Sequence, residues 1–314
     1  MTFRISPELD ELGFTPFFLQ AALASDQAST SLPARIVCER RGEYTLLGEG
    51  DARRAKLGGR LEHTLATEAR PTVGDWVLYE PADPVSRVTH VLERQNVLRR
   101  RNVDGSSHAQ ALAANVDVCF VVAALAPDDA DRHAARRSLN VRRLERYLVL
   151  AHESRAEAVV VLNKADLTDL AEDALAELGP ALPGTELELV SALDGRGIER
   201  LRARLGASTT AVLLGSSGAG KSTLANRLLG RELLRTGAVR DEDARGRHTT
   251  TERDCAVLRA VETGELSAAR LESARKLEGE LRHQRMRTDA RLREAQRQQS
   301  RTLARAVRRE RNRG

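Results

Sequence analysis

The stretch Gly215-Ser216-Ser217-Gly218-Ala219-Gly220-Lys221-Ser222-Thr223 constrains this chain more than any other. It fits the GxxxxGK[ST] pattern, and it sits where that pattern works, after the apolar run Thr210–Leu214 and before a helix that starts at Lys221. Glycines let consecutive backbone N–H groups close around phosphate oxygens, and the helix N-terminus adds favourable partial charge. Lys221 is placed to reach the outer phosphates and Ser222 to ligate Mg²⁺. A chance Gly/Ser turn would lack the strand and helix that bracket this one. A strand, a phosphate loop and a helix in that order belong to an α/β fold.

The segments upstream agree. Val116–Ala123, Glu157–Leu162, Glu186–Val190 and Thr210–Leu214 are near-continuous apolar runs, alternating with helical stretches near 139–153, 170–178 and 198–205. That rhythm predicts a parallel sheet covered on both faces. Asn163-Lys164-Ala165-Asp166 falls at the C-terminal end of the second strand, where ligands bind in open α/β sheets. A carboxylate there can accept hydrogen bonds from guanine N1–H and the 2-amino group, a donor pair that adenine lacks. On its own the tetrapeptide serves equally well as a polar helix cap. Ser191-Ala192 follows the next strand and resembles a loop that backs a base through its main chain, a weak signal by itself.

Residues 31–97 read differently. Ala34–Glu39 and Tyr44–Leu47 flank an Arg41-Gly42 turn, Val73–Tyr79 is a further strand, and Val85–Leu92 alternates at period two. Several short strands in so few residues predict a small barrel of the OB-fold type. Residues 1–30 read as a weakly defined leader, 98–112 as a basic linker, 113–254 as the α/β domain, and 255–314 as a helical C-terminal region.

Net charge is +5, but Arg282–Arg313 holds 12 Arg and 3 acids, leaving −4 for the rest. The tail points to a polyanionic partner, or is simply a solvated, charge-rich end. Its low apolar content cannot bury a continuous face. No apolar run approaches the roughly 20 residues of a membrane span, and no secretory signal is visible. Cys38, Cys119 and Cys255 are too few and too scattered for a disulfide framework, so the cytoplasm is the expected compartment.

A base-reading loop, a base-supporting loop and then a phosphate loop is a rotated order relative to ordinary GTPases, in which the phosphate loop comes first. With Gly246-Arg247-His248-Thr249-Thr250-Thr251, Gly74-Asp75-Trp76 and Cys255-Ala256-Val257, it resembles the small ribosomal subunit biogenesis GTPase family (RsgA), over most of residues 31–281. The resemblance implies a circularly permuted GTPase domain behind an OB-fold barrel, GTP/GDP and Mg²⁺ as ligands, and a monomer that binds the 30S subunit and its rRNA late in assembly. It implies that Thr249 or Thr250 is the switch threonine, with Thr250 on Mg²⁺ beside Ser222. It gives His248 a role in placing the attacking water, although a lone loop His is more often just solvated.

Two parts of the family pattern are missing. No DxxG follows the switch, since Thr251-Glu252-Arg253-Asp254 runs straight into Cys255. Of the Cys/Cys/His/Cys zinc set only Cys255 remains, and one sulfur cannot build a four-ligand site, so zinc is not expected. The lost strand would leave Thr210–Leu214 with an open edge unless Asp254–Leu258 takes its place. Two activities stay open. One is a GTP-hydrolysing assembly factor; the other is a nucleotide- and RNA-binding module that does not hydrolyse, because catalysis of this kind is mostly positioning of metal and charge. A P-loop kinase would need adenine preference, which Asn163–Asp166 opposes.

Overall fold

The structure, a computed structural model, describes residues 4–26, 30–40, 42–66, 69–101, 109–128, 139–206, 208–230 and 253–254. Its first sheet is built from β1 (Leu32–Arg40), β2 (Glu43–Gly48), β3 (Arg53–Leu57), β4 (Trp76–Glu80) and β5 (Ser86–Val91), with helix α3 (Gly59–Thr64) between β3 and β4. The strand order β1-β2-β3-β5-β4 closes because β4 also pairs with β1, and only the β3–β5 contact is parallel. This closed barrel of five strands is of the small OB-like type predicted from the hairpin and strand pattern, with β3 as a strand the pattern did not show.

Period-two alternation decides what fills it. Ala34, Ile36, Tyr44, Leu46, Ala55, Val77, Tyr79 and Val88 form one buried cluster. Their neighbours Leu47, Trp76 and Leu78 belong to a second cluster outside it. That second cluster is completed by Leu9, Leu12, Phe14, Phe18 and Ala22, from α1 (Pro7–Glu11), α2 (Pro16–Leu23) and the turn between them. Phe14 meets Trp76 edge-on with ring centroids 4.7 Å apart.

The leader is therefore part of the packed core, which corrects the reading of residues 1–30 as weakly defined. The helices are too short to show a period, but each starts in the order cap residue then Pro, Ser6-Pro7 and Thr15-Pro16. β3 escaped notice because only Ala55 of its five residues is buried, among Arg53, Arg54 and Lys56. Val73–Tyr79 is not one strand: Gly74, at φ +91°, turns the chain before β4 begins at Trp76.

The second sheet has the order β10-β9-β8-β11 and is wholly parallel: β8 (Val118–Ala124), β9 (Glu157–Asn163), β10 (Glu186–Leu189) and β11 (Ala211–Gly215). Cys119, Val121, Val160 and Leu162 face one buried cluster with Leu144, Leu148 and Ala151 of α4 (Val141–Glu153) and Leu178 of α5 (Ala171–Ala181). Phe120, Val122, Val159 and Val161 face the other, with Ile198 and Leu201 of α6 (Ile198–Arg202) and Leu224 and Leu228 of α7 (Lys221–Leu228). The apolar runs are continuous because both faces are covered. The Asn140 side chain caps α4 by accepting from Arg143 N at 3.1 Å.

The basic stretch expected as a connector contributes β6 (Val97–Arg101), which pairs antiparallel with β7 (Ala109–Ala114). Leu98 and Ala113 of this hairpin are buried in the first of the two sheet clusters. Among the described residues β11 pairs on one side only, with β8. Asp254 does not extend it: β12 (Arg253–Asp254) pairs with Glu39 and Cys38 of β1. Cys255–Leu258, and the helical region expected beyond them, lie outside the described residues.

Cys119 is fully buried in the central strand, and burial pushes its thiol up to about 12. The folded state thus keeps the proton that the unfolded chain loses near its ordinary value of about 8.5. Stability from this site is whole below that pH and drains away as pH rises towards 12. The urea midpoint is expected to fall steadily above about pH 9, and a thiol reagent at pH 8 should leave Cys119 unmodified until the chain unfolds.

Candidate nucleotide-binding site

β8, β9, β10 and β11 run parallel, so the loops after β9, β10 and β11 leave the sheet on the same side. β9 ends at Asn163, and Lys164 then takes a left-handed conformation, φ +68° and ψ +38°, before a single 3₁₀ turn over Ala165–Leu167. That reversal carries Asp166 back beside the loop after β10. Ser191, fully buried, donates to Asp166 Oδ1 at 2.6 Å and accepts from Asp194 N at 3.1 Å. The serine thus orients the carboxylate while leaving it several of its lone-pair sites.

Asn163 ties the site together. Its side chain is 1% exposed; its Nδ2 donates to Ala219 O at 3.0 Å, and its Oδ1 accepts from Ala192 N at 3.1 Å. One buried amide therefore joins the loop after β9 to the Ser191-Ala192 loop and to the glycine-rich loop. Burial makes both bonds costly to lose.

The glycine-rich loop needs its glycines for two reasons at once. Gly215, Gly218 and Gly220 all have positive φ, at +152°, +81° and +84°. A Cβ on Gly215 would collide with Val122 O, and one on Gly220 with Asn163 Nδ2. Lys221 opens α7 and folds back over the loop, its Nζ donating to Gly215 O at 3.1 Å and Ser216 O at 2.7 Å. Burial lowers its pKa from the ordinary lysine value. A half-buried cation, a ring of backbone and a helix N-terminus are the parts of a cradle for a polyanion.

The structure thus brings Asn163, Lys164, Ala165, Asp166, Ser191, Ala192 and residues 215–223 into one region. His248, Thr249, Thr250 and Cys255 lie outside the described residues. Among the described residues no group of three or more His, Cys, Asp or Glu side chains is placed to hold a metal ion. No helix of the described residues is long and apolar enough to cross a membrane.

Sequence reasoning missed two supports. Asp128, after β8, accepts from the Thr168 hydroxyl and from Asp169 N, which ties down the loop just past Asp166. Arg35 of β1 reaches Thr210, the residue before β11, through a 2.6 Å bond. Neither shows a local signal, because each joins segments distant in sequence.

A family model described as RsgA GTPase matches residues 91–263. A small ribosomal subunit biogenesis GTPase RsgA from Xanthomonas campestris pv. campestris (strain B100) is 43% identical over 226 residues, covering 71% of this chain and 58% of that protein. One from Syntrophotalea carbinolica is 37% identical over 254 residues, covering 78% of this chain and 67% of that protein. The crystal structure of YjeQ from Thermotoga maritima aligns at 24% identity and TM-score 0.47, covering 80% of this chain and 98% of that one. The chain thus spans 58% of the length of the Xanthomonas relative.

Proposed function

We propose that this chain, which belongs to the RsgA GTPase family, binds GTP and GDP, hydrolyses GTP, and acts on the small ribosomal subunit late in its maturation, contacting rRNA. The observation that carries the reading is the pair of bonds made by Asn163, which hold the base-reading and phosphate loops at one site. Asp166 selects guanine, Ser191 orients it, and Lys221 neutralises phosphate charge. The donor set around Gly215–Thr223 fits a triphosphate with Mg²⁺: Ser222 would supply one oxygen to the metal, and Thr250 a second. A magnesium ion held there would supply positive charge that offsets the charge of the phosphates. Within this reading the chain is a cytoplasmic monomer, and His248 with Thr249 and Thr250 serves the hydrolytic step.

The test is a titration of the full chain with fluorescent GDP and ADP, followed by GTP turnover with and without small ribosomal subunits. GDP should bind at least about 10³-fold tighter than ADP, because adenine leaves the Asp166 carboxylate without donors. Turnover should rise when subunits are added. Equal affinity for the two nucleotides would end the guanine reading.

A second reading keeps the binding and drops the hydrolysis. It is favoured by the sequence after the switch, where Thr251–Cys255 contains no DxxG. GDP-selective binding with turnover at background, even with subunits, would decide for it.

A further inference from the structure

Arg35 is the least expected polar residue in the fold. It stands in the middle of β1, among apolar neighbours, and is 2% exposed. Its guanidinium donates to four separate segments. Nη1 reaches Leu12 O of the leader at 2.6 Å, and Nε reaches Gly74 O of the barrel turn at 3.3 Å. Nη2 reaches Asn115 O, ahead of β8, at 3.3 Å, and Thr210 Oγ1, ahead of β11, at 2.6 Å. Its Cζ also lies 5.7 Å from the ring centre of Trp76, the only tryptophan in the chain.

Thr210 is held as firmly from the other side. It is 1% exposed, its N donates to Asp117 Oδ2 at 2.7 Å, and its O accepts from Asp117 N and Val118 N. From Thr210 the chain passes along β11 to Gly215, the first residue of the phosphate loop, about 17 Å away at strand rise. Among the described residues β11 has one strand neighbour, β8. The Arg35–Thr210 bond thus acts at the start of the strand that leads into the phosphate loop.

We infer that Arg35 is a positioning residue for the nucleotide site: its bond to Thr210 sets β11 and the phosphate loop, and makes nucleotide affinity depend on how the barrel and leader are seated. The inference rests on the proposed nucleotide-binding function and adds regulation to it. Coupling is reciprocal, so whatever engages the barrel in its seated form raises nucleotide affinity by the factor by which nucleotide tightens that engagement. The guanidinium suits the role because its planar fork presents five N–H donors in fixed directions, whereas a lysine has three on one freely rotating ammonium.

The experiment compares the wild type with Thr210→Val, which keeps the shape and removes the hydroxyl, and Thr210→Ser, which keeps the hydroxyl. Arg35→Lys serves as a second probe should Thr210→Val not fold. Each is titrated with GDP, and its Tm and Trp76 emission are recorded. Thr210→Val and Arg35→Lys should weaken GDP about tenfold, within the range usual for coupled sites. Thr210→Ser should bind like the wild type, and the double variant Arg35→Lys/Thr210→Val should lose no more than either single one. Trp76 emission should respond to GDP in the wild type and Thr210→Ser alone. A purely structural role predicts a lower Tm with unchanged GDP affinity in Thr210→Val and Arg35→Lys; that result overturns the inference while leaving the nucleotide reading intact. A wild-type chain that binds neither GDP nor ADP overturns both.

Discussion

Asp166→Asn is expected to weaken GDP by about 10³-fold or more, because a site built to receive two N–H donors is left with mismatched groups. The same substitution should admit xanthosine diphosphate. Xanthine carries a carbonyl where guanine has its 2-amino group, and an asparagine amide can donate to that carbonyl while accepting from N1–H. Ser191 donates to Oδ1 of residue 166, which the amide retains as its oxygen, so the loop geometry has reason to persist. Competition between GDP and xanthosine diphosphate on the variant checks this. If Asp166→Asn still preferred GDP, the carboxylate would not be the reader, and its bond with Ser191 would serve only to hold the two loops together.

Gly74→Ala should lower Tm by about 5–15 °C, with an expected loss of about 2–4 kcal/mol. Two costs add. Gly74 has φ +91°, where an L-residue loses about 1 kcal/mol or more. A Cβ there would also run into the carbonyl oxygen of Ala114, which belongs to backbone and cannot rotate away. The effect should spread because the turn is a junction. Gly74 N donates to Ile36 O, its carbonyl accepts from Arg35 and Asn115, and the neighbouring Asp75 receives Arg94 Nε and Nη2, each at 2.7 Å. Gly50→Ala is the control. Gly50 has a similar φ of +79° but nothing within 4 Å of the added atom, so only the conformational part, about 1 kcal/mol, should appear. Equal losses for the two variants would show that the contact with Ala114 carries no weight.

These two positions mark what a sequence can single out and where it stops. Asp166 could be singled out because the grounds for it are local: a strand end, a turn and a carboxylate are contiguous in the chain. The same holds for Gly215–Thr223 and for β8 and β9, whose apolar runs announce burial on both faces. Gly74-Asp75-Trp76 could be noticed as part of a likeness, but its purpose could not be read. The glycine answers to Ala114, the aspartate to Arg94 and the tryptophan to Phe14 and Phe18, at 40, 19, 62 and 58 residues' remove. β3 and the leader helices stayed hidden for a second reason as well, being too short or too charged to display a period, while what they bury against is again distant in sequence.

By itself, then, the order of residues determined which groups stand close together on this chain, a carboxylate just past a strand end and a glycine-lined helix start, because those depend on neighbours a few bonds away. Only the tertiary structure decided that Asn163 would clamp both to one site, and that Arg35 would bind the barrel to the strand behind the phosphate loop. Such bonds are made between groups whose separation along the chain carries no trace of their distance in space, and they form only once burial has stripped both partners of water.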